Sequence, residues 1–170
     1  MAISGKVVSL GIVGITAAFA VGVYYAQVYG FYTNANVQEI ELTSFVSGEP
    51  ERILADNIQA IDAESSPIRF RACFDTPLST AMLTETFVSL DRAEPRNAPD
   101  WFSCFDAAQI GEDLATGAAT AFMGHENFEY GIDRIVAIYP DGRGYVWHQI
   151  NDCGDKLYDG TPVGTDCPER

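Results

Sequence analysis

The chain has 170 residues, a formal charge of −14 and a hydrophobic fraction of 47%. So acidic a protein lacks the basic surface that neutralises phosphates, which excludes nucleic-acid binding. Its apolar and aromatic content also excludes a disordered chain, and its length suits one ordinary domain with one extra element.

The apolar residues are concentrated at the N-terminus. Residues 7–32 carry no charged side chain over 26 positions, and about 20 apolar residues suffice to cross a bilayer as a helix. Gly14 with Ala18, and Ala18 with Gly22, form small-xxx-small pairs that let a second membrane helix approach closely. Tyr24, Tyr25 and Tyr29, with Phe31 and Tyr32, make an aromatic belt suited to the membrane–water interface. Lys6 and the amino terminus are the cations on the near side. The positive-inside bias therefore places the N-terminus in the cytoplasm and residues 33–170 outside. A cleaved signal peptide is the competing reading, with Ala18-Phe19-Ala20 as a cleavage-like site. The apolar run continues well past that site, which favours a retained anchor. Either reading exports the remainder, which holds 9 Lys and Arg against 24 Asp and Glu, a net charge of −15.

Cys73, Cys104, Cys153 and Cys167 all fall in the exported part. An even count outside the cytoplasm points to disulfides. Of three pairings, Cys73–Cys104 with Cys153–Cys167 is favoured because each closes a moderate loop. The second would staple a C-terminal tail rich in Gly, Asp and Pro. There is no C-x-x-C pair for a redox centre and no C-x-x-C-H for covalent haem.

Along the exported part, residues 33–37 are a polar connector and residues 39–42 alternate as a strand does. Residues 47–50 are turn-like, and residues 52–63 fit either helix or strand. Residues 68–74 alternate strictly. This predicts a strand with Ile68, Phe70, Ala72 and Phe74 toward a core and Arg69, Arg71 and Cys73 on the other face. Residues 76–90 predict a short helix capped by Thr76, with Pro77 at its first position. Residues 91–100 are a proline-bearing loop, and Trp101, Phe102 and Phe105 read as core rather than docking surface. Residues 106–115 predict the clearest soluble helix, with Asp106 as cap, Gln109 completing a capping box, and Gly117 as its left-handed end. Residues 118–123 predict a strand. Residues 132–139 and 145–150 flank a Pro-Asp-Gly-Arg-Gly turn and predict a C-terminal hairpin. The expectation is one transmembrane helix, residues 1–32 with the short N-terminus. A compact, disulfide-linked α+β domain follows over residues 33–170.

Few residues suggest chemistry. His148 alternates with Val146 and Ile150 and reads as half-buried, while His125 sits near a strand end. The two histidines and a nearby Glu would bind zinc or copper only if the fold gathered them, because no local spacing fixes a ligand set. Neither a nucleophile elbow nor a phosphate-binding glycine loop is present. Arg69, Arg71 and His148 are the candidate polar site. The arginines would grip a carboxylate or phosphate, or else neutralise acidic neighbours. No metal, cofactor or catalytic residue is assigned. The charge is the strongest functional feature, since an acidic domain beside a membrane attracts a cationic soluble partner. A small basic electron carrier such as cytochrome c is a concrete candidate, and acidity for solubility alone is the plain alternative.

Several segments carry a resemblance. They are Tyr24-Tyr25-Ala26-Gln27-Val28-Tyr29, residues 65–74, Gly131-Ile132-Asp133-Arg134, and Pro140-Asp141-Gly142-Arg143-Gly144 leading to Trp147-His148-Gln149-Ile150-Asn151. Through them the chain resembles an uncharacterised family, a domain of unknown function, of small bacterial single-pass inner-membrane proteins sometimes labelled histidine kinase. The resemblance implies an anchor plus a periplasmic domain and brings no catalytic residues. The kinase label has no support in the residues. No ATP-binding boxes are present, and neither His lies in a long amphipathic helix.

The expected function is therefore non-catalytic: an accessory subunit or assembly factor of an inner-membrane complex, such as a respiratory one. Its partners would be the lipid bilayer, an integral membrane protein and a basic soluble protein. A periplasmic ligand-binding or sensory domain is the alternative.

Overall fold

A computed structural model describes residues 4–165 and 167–168. The chain divides into two compact units, Met1–Tyr32 and Thr33–Arg170. In the first, helix α1 (Gly5–Tyr25) runs on into a π-helical turn, Ala26–Gly30. The 26 residues Gly5–Gly30 extend about 39 Å at 1.5 Å per residue, against roughly 30 Å of bilayer hydrocarbon. This helix is long and apolar enough to cross a membrane, as an anchor or a signal sequence is. None of its residues is buried. Added Cβ atoms at Gly11, Gly14 and Gly22 would meet open space. The Tyr25 and Tyr29 rings stack at 5.7 Å between centroids. Lys6 lies in the first turn of α1, and the amino terminus is outside the described residues.

The second unit is α+β. Its elements are β1 (Thr33–Asn34), β2 (Ile40–Thr43), β3 (Pro50–Ile53), β4 (Asp56–Asp62), β5 (Arg71–Asp75), α2 (Thr80–Thr86), β6 (Ser89–Leu90), α3 (Ala107–Thr116), β7 (Thr120–Glu129), β8 (Ile132–Ile138) and β9 (Arg143–Ile150). Seven strands form one antiparallel sheet in the order β1-β4-β5-β9-β8-β7-β6, and β2 and β3 form a separate ribbon. The β8–β9 hairpin is its centre. The Tyr139 N–H donates to the Arg143 carbonyl at 2.9 Å, and the Gly142 N–H donates to the Tyr139 carbonyl at 3.0 Å. Gly142 has φ +92°, the left-handed residue that a three-residue hairpin loop requires. Its carbonyl also accepts from the Thr76 N–H at 2.8 Å, which ties the turn to the end of β5.

Both faces of the sheet are covered, so β8 is nearly continuous in apolar residues rather than alternating. Ile135, Val136, Ala137 and Ile138 are all buried. On one face Ala72, Phe74, Phe122, Val136, Ile138 and Val146 pack with Ile40, Leu42 and Ile53 of the ribbon and with Leu83 and Phe87 at α2. Each large apolar side chain buried here contributes roughly 1.5–3 kcal/mol. The opposite face presents Trp147, Tyr145 and Cys73 to the segment before α3. Phe105 contacts Tyr145 and Trp147 at 5.9 and 6.4 Å, and Cys104 is bonded to Cys73. The Tyr139 hydroxyl donates to Asp113 of α3 at 2.7 Å.

Several elements differ from the sequence expectation. The strand anticipated over residues 68–74 begins only at Arg71, because Pro67–Arg69 forms a 3-10 turn. The helix anticipated over residues 76–90 shrinks to α2. Ser79 is its cap, accepting from the Met82 N–H at 3.3 Å. The Thr76 hydroxyl instead donates to the Leu54 carbonyl at 2.7 Å and accepts from the Leu78 N–H. Residues 52–63 resolve into the end of β3 and all of β4. α3 is capped by Asp106, which accepts from the Ala108 and Gln109 N–H groups, and ends at Gly117 with φ +76°. The Gln109 amide reaches forward to Asp113 at 3.0 Å, so only half of the capping box forms. β7 extends to Glu129, six residues past the expected end, and places His125 inside a strand. Phe102 and Phe105 are core as read from sequence, whereas Trp101 remains 39% exposed.

Candidate functional site

The candidate polar residues do not share one site. Register pairs Arg71 with Trp147, so His148, the next residue on β9, points to the opposite face of the sheet. Arg69 lies in the 3-10 turn and does not continue the alternation of Arg71 and Cys73. Arg71 and His148 therefore cannot line a common pocket.

His148 is not half-buried but enclosed, with 3% of its surface exposed. Its ring lies between Phe70 at 4.7 Å and Phe128 at 4.1 Å. Nδ1 is 2.6 Å from the Pro67 carbonyl. A carbonyl only accepts, so Nδ1 carries the proton. Nε2 accepts from Arg134 Nε at 3.1 Å. Both nitrogens are thereby occupied, one as donor and one as acceptor, with no lone pair left for a metal. Burial lowers the His148 pKa to about 4, and the Arg134 and Arg71 charges act in the same direction.

Arg134 was not singled out in the sequence. Its guanidinium lies 5.4 Å from the Phe70 ring centre and 5.0 Å from that of Phe128. Burial lowers its pKa, opposed by the Glu41 and Asp62 charges. The register places Arg134 opposite His125 on β7 and His148 on β9. The fold thus places Arg134 on the strand between the two histidines, with its guanidinium against His148. Among the described residues, no three His, Cys, Asp or Glu gather to hold a metal.

Arg71 is 3% exposed, and backbone carbonyls take its N–H groups. Nε donates to Arg96 at 2.7 Å, Nη1 to Ile68 and Phe70 at 2.9 and 2.6 Å, and Nη2 to Asn97 at 3.2 Å. Rather than gripping an acidic ligand, it clamps the loop before α3. Two further bonds hold that segment. Gln149 Oε1 accepts from the Glu94 N–H at 2.8 Å, and Cys104 is disulfide-bonded to Cys73.

A second polar network was also missed. Asn151 Nδ2 donates to Asp133 at 2.7 Å and to Asn127 at 2.9 Å. Asp133 accepts from the Asn127 N–H at 2.8 Å. Asn151 Oδ1 accepts from the Cys153 and Gly154 N–H groups. The network joins the β7–β8 turn, the end of β9 and the tail that Cys153–Cys167 closes. Asn127 adopts φ +47° in the β7 bulge and Gly131 φ +79°. A Cβ on Gly131 would lie 2.5 Å from the Gly154 Cα. The signal for this network was present as Gly131, Asp133 and Asn151 in the resembling segments, whose roles here are structural.

No curated protein and no solved structure matches the chain. Residues 40–168, which include every strand of this sheet but β1, match the Family of unknown function DUF6446, and the chain belongs to that family.

Proposed function

We propose that the protein is a non-catalytic, single-pass membrane protein acting as an accessory subunit or assembly factor of an inner-membrane complex. In this reading the N-terminus is cytoplasmic and residues 33–170 stand in the periplasm, where the acidic surface meets a cationic partner, such as a small basic electron-transfer protein. The observation that carries the reading is the helix Gly5–Gly30, apolar throughout its middle and with no residue buried. Such a surface needs lipid or other helices around it. The two disulfides suit an oxidising compartment. The charge of −15 on residues 33–170 raises encounter rates with a basic protein. Extraction of the full-length protein from native membranes in mild detergent, followed by affinity capture and mass spectrometry, tests this. Stoichiometric recovery of an integral membrane protein is the expected result. Recovery as a lone monomer at native abundance overturns the reading.

A further inference from the structure

The tip of the β2–β3 ribbon holds an adjacent pair of apolar side chains out in the open. Phe45 is 76% exposed and Val46 94%. The turn that displays them is tied down on both sides. The Gly48 N–H donates to the Ser44 carbonyl and the Ser44 N–H to the Glu49 carbonyl, both at 2.9 Å. Gly48 supplies the left-handed residue, at φ +72°. Toward α2, the Phe45 N–H donates to the Thr86 carbonyl at 2.9 Å, and Ser44 forms a bridge with Phe87. The exposure is therefore built into the turn and does not come from a loose loop. Gly48 and main-chain bonds make this turn, so its backbone has no need of large apolar residues at 45 and 46. Apolar residues scattered singly on a surface are ordinary, but a projecting pair marks a place of contact.

The surroundings select lipid as the occupant. Residues 42–48 hold no ionisable side chain, so the whole tip can leave water without burying a charge. Leu157 and Tyr158 form a comparable exposed pair, yet Asp155, Lys156 and Asp159 flank them and keep that turn in water. Two side chains on a projecting turn present far less than the roughly 800 Å² that each partner brings to a standard protein interface. Contact with a bilayer needs no such patch, because it scales with whatever apolar area is immersed. The chain also keeps lipid within reach. Thr33, the first residue of β1, follows Gly30 of the apolar helix by three residues, a span of about 11 Å when fully extended. On a retained anchor the domain is thus held at the bilayer surface, at high effective concentration. The charge of −15 on residues 33–170 gains nothing from anionic headgroups, so the attraction is the apolar one.

We infer that the Phe45–Val46 tip immerses in the surface of the bilayer that the helix crosses and is a second point of attachment. A single helix holds the domain near the membrane, and the tip fixes which face it turns to a partner. The inference rests on the proposed function, through its retained anchor.

The test uses the full chain reconstituted in phosphatidylcholine vesicles, with acyl chains either plain or brominated near the headgroup. Bromine quenches tryptophan on contact. Phe45→Trp adds one tryptophan at the tip, and subtracting the wild type removes the emission of Trp101 and Trp147. The added emission should fall about twofold in brominated vesicles, as for a side chain at the headgroup and acyl boundary. It should also be shielded from aqueous iodide. Tyr158→Trp, placed at the other exposed pair, should lose nothing to bromine and remain open to iodide. Both substitutions lie outside the core, and circular dichroism checks the fold. A Phe45→Trp emission that iodide reaches and bromine does not, or equal bromine quenching at both positions, overturns the inference. Native membranes separate it from the reading on which it rests. Release of the wild type by alkaline carbonate removes the anchor, and with it the proposed function. A chain that stays in the membrane with an unquenched tip leaves the accessory role standing and the lipid contact wrong. If Phe45→Ser with Val46→Ser loses an integral protein that the wild type captures, the tip belongs to that protein and the lipid contact is likewise overturned.

Discussion

Arg134 donates its Nε–H to Nε2 of His148, and this bond requires His148 to be neutral. A second proton would set N–H against N–H between two aromatic rings. The folded-state pKa is about 4, against 6.5 for the free side chain. As pH falls, the unfolded chain takes up the proton first. Stability is therefore at its plateau above pH 6.5, falls between 6.5 and 4, and loses about 3 kcal/mol over that window. His148→Gln should be less stable at pH 7 yet lack this one-proton slope. Urea midpoints at pH 7.0 and 4.5 for both proteins measure it, and equal slopes would discard the assignment.

Removing the disulfide that holds the loop over Trp147 should destabilise without unfolding. The Cys73–Cys104 bond closes a separation of 31 residues and Cys153–Cys167 one of 14, so each contributes about 3–4 kcal/mol by loop entropy. Cys73→Ala with Cys104→Ala should lose that amount in urea unfolding and should also increase hydrogen exchange in residues 94–106. Cys153→Ala with Cys167→Ala should increase exchange in the tail alone.

Gly144 pairs with Phe74 across β5 and β9. A Cβ at Gly144 would sit 2.1 Å from the ring. Phe74 is 4% exposed, so its ring would have to shift against its packed neighbours. Gly144→Ala should therefore cost about 2 kcal/mol or more. Phe74→Leu in the same background should recover part of it, and a thermal melt of the three variants reads the coupling. Additive losses would show that the ring is not the obstacle.

Asn151 bonds two side chains and two backbone N–H groups. Replacing it by Ala leaves the Asn127–Asp133 pair and the tail without their common partner, at about 1–3 kcal/mol. The loss should be local first, so limited proteolysis should cut residues 152–165 at least tenfold faster while cleavage between β4 and β5 is unchanged.

Much of the architecture was legible where a local rule acts alone. Asp106 and Gly117 bound α3 through backbone geometry, and the turn at Gly142 declares the β8–β9 hairpin. The errors lie where a distant partner overrides the local rule. Thr76 is a good cap by type, but the Leu54 carbonyl takes its hydroxyl. The alternation at residues 68–74 is genuine at Phe70, Ala72 and Phe74, yet the turn at Pro67 breaks the strand before Arg71. The candidate polar residues separate for the same reason. Arg71 and His148 looked alike in sequence, as polar residues in apolar strands, and strand register sends them to opposite faces.

The sequence by itself determined the uncharged helix, the acidity of residues 33–170 and the availability of four cysteines. These depend on composition and on interactions spanning a few residues. Only the tertiary structure decided that Arg134 bonds His148 across the sheet, that Arg71 clamps a loop and that Trp101 is left partly exposed. Each depends on which strands become neighbours. The order β1-β4-β5-β9-β8-β7-β6 brings together residues more than 70 positions apart, and no local pattern encodes that choice.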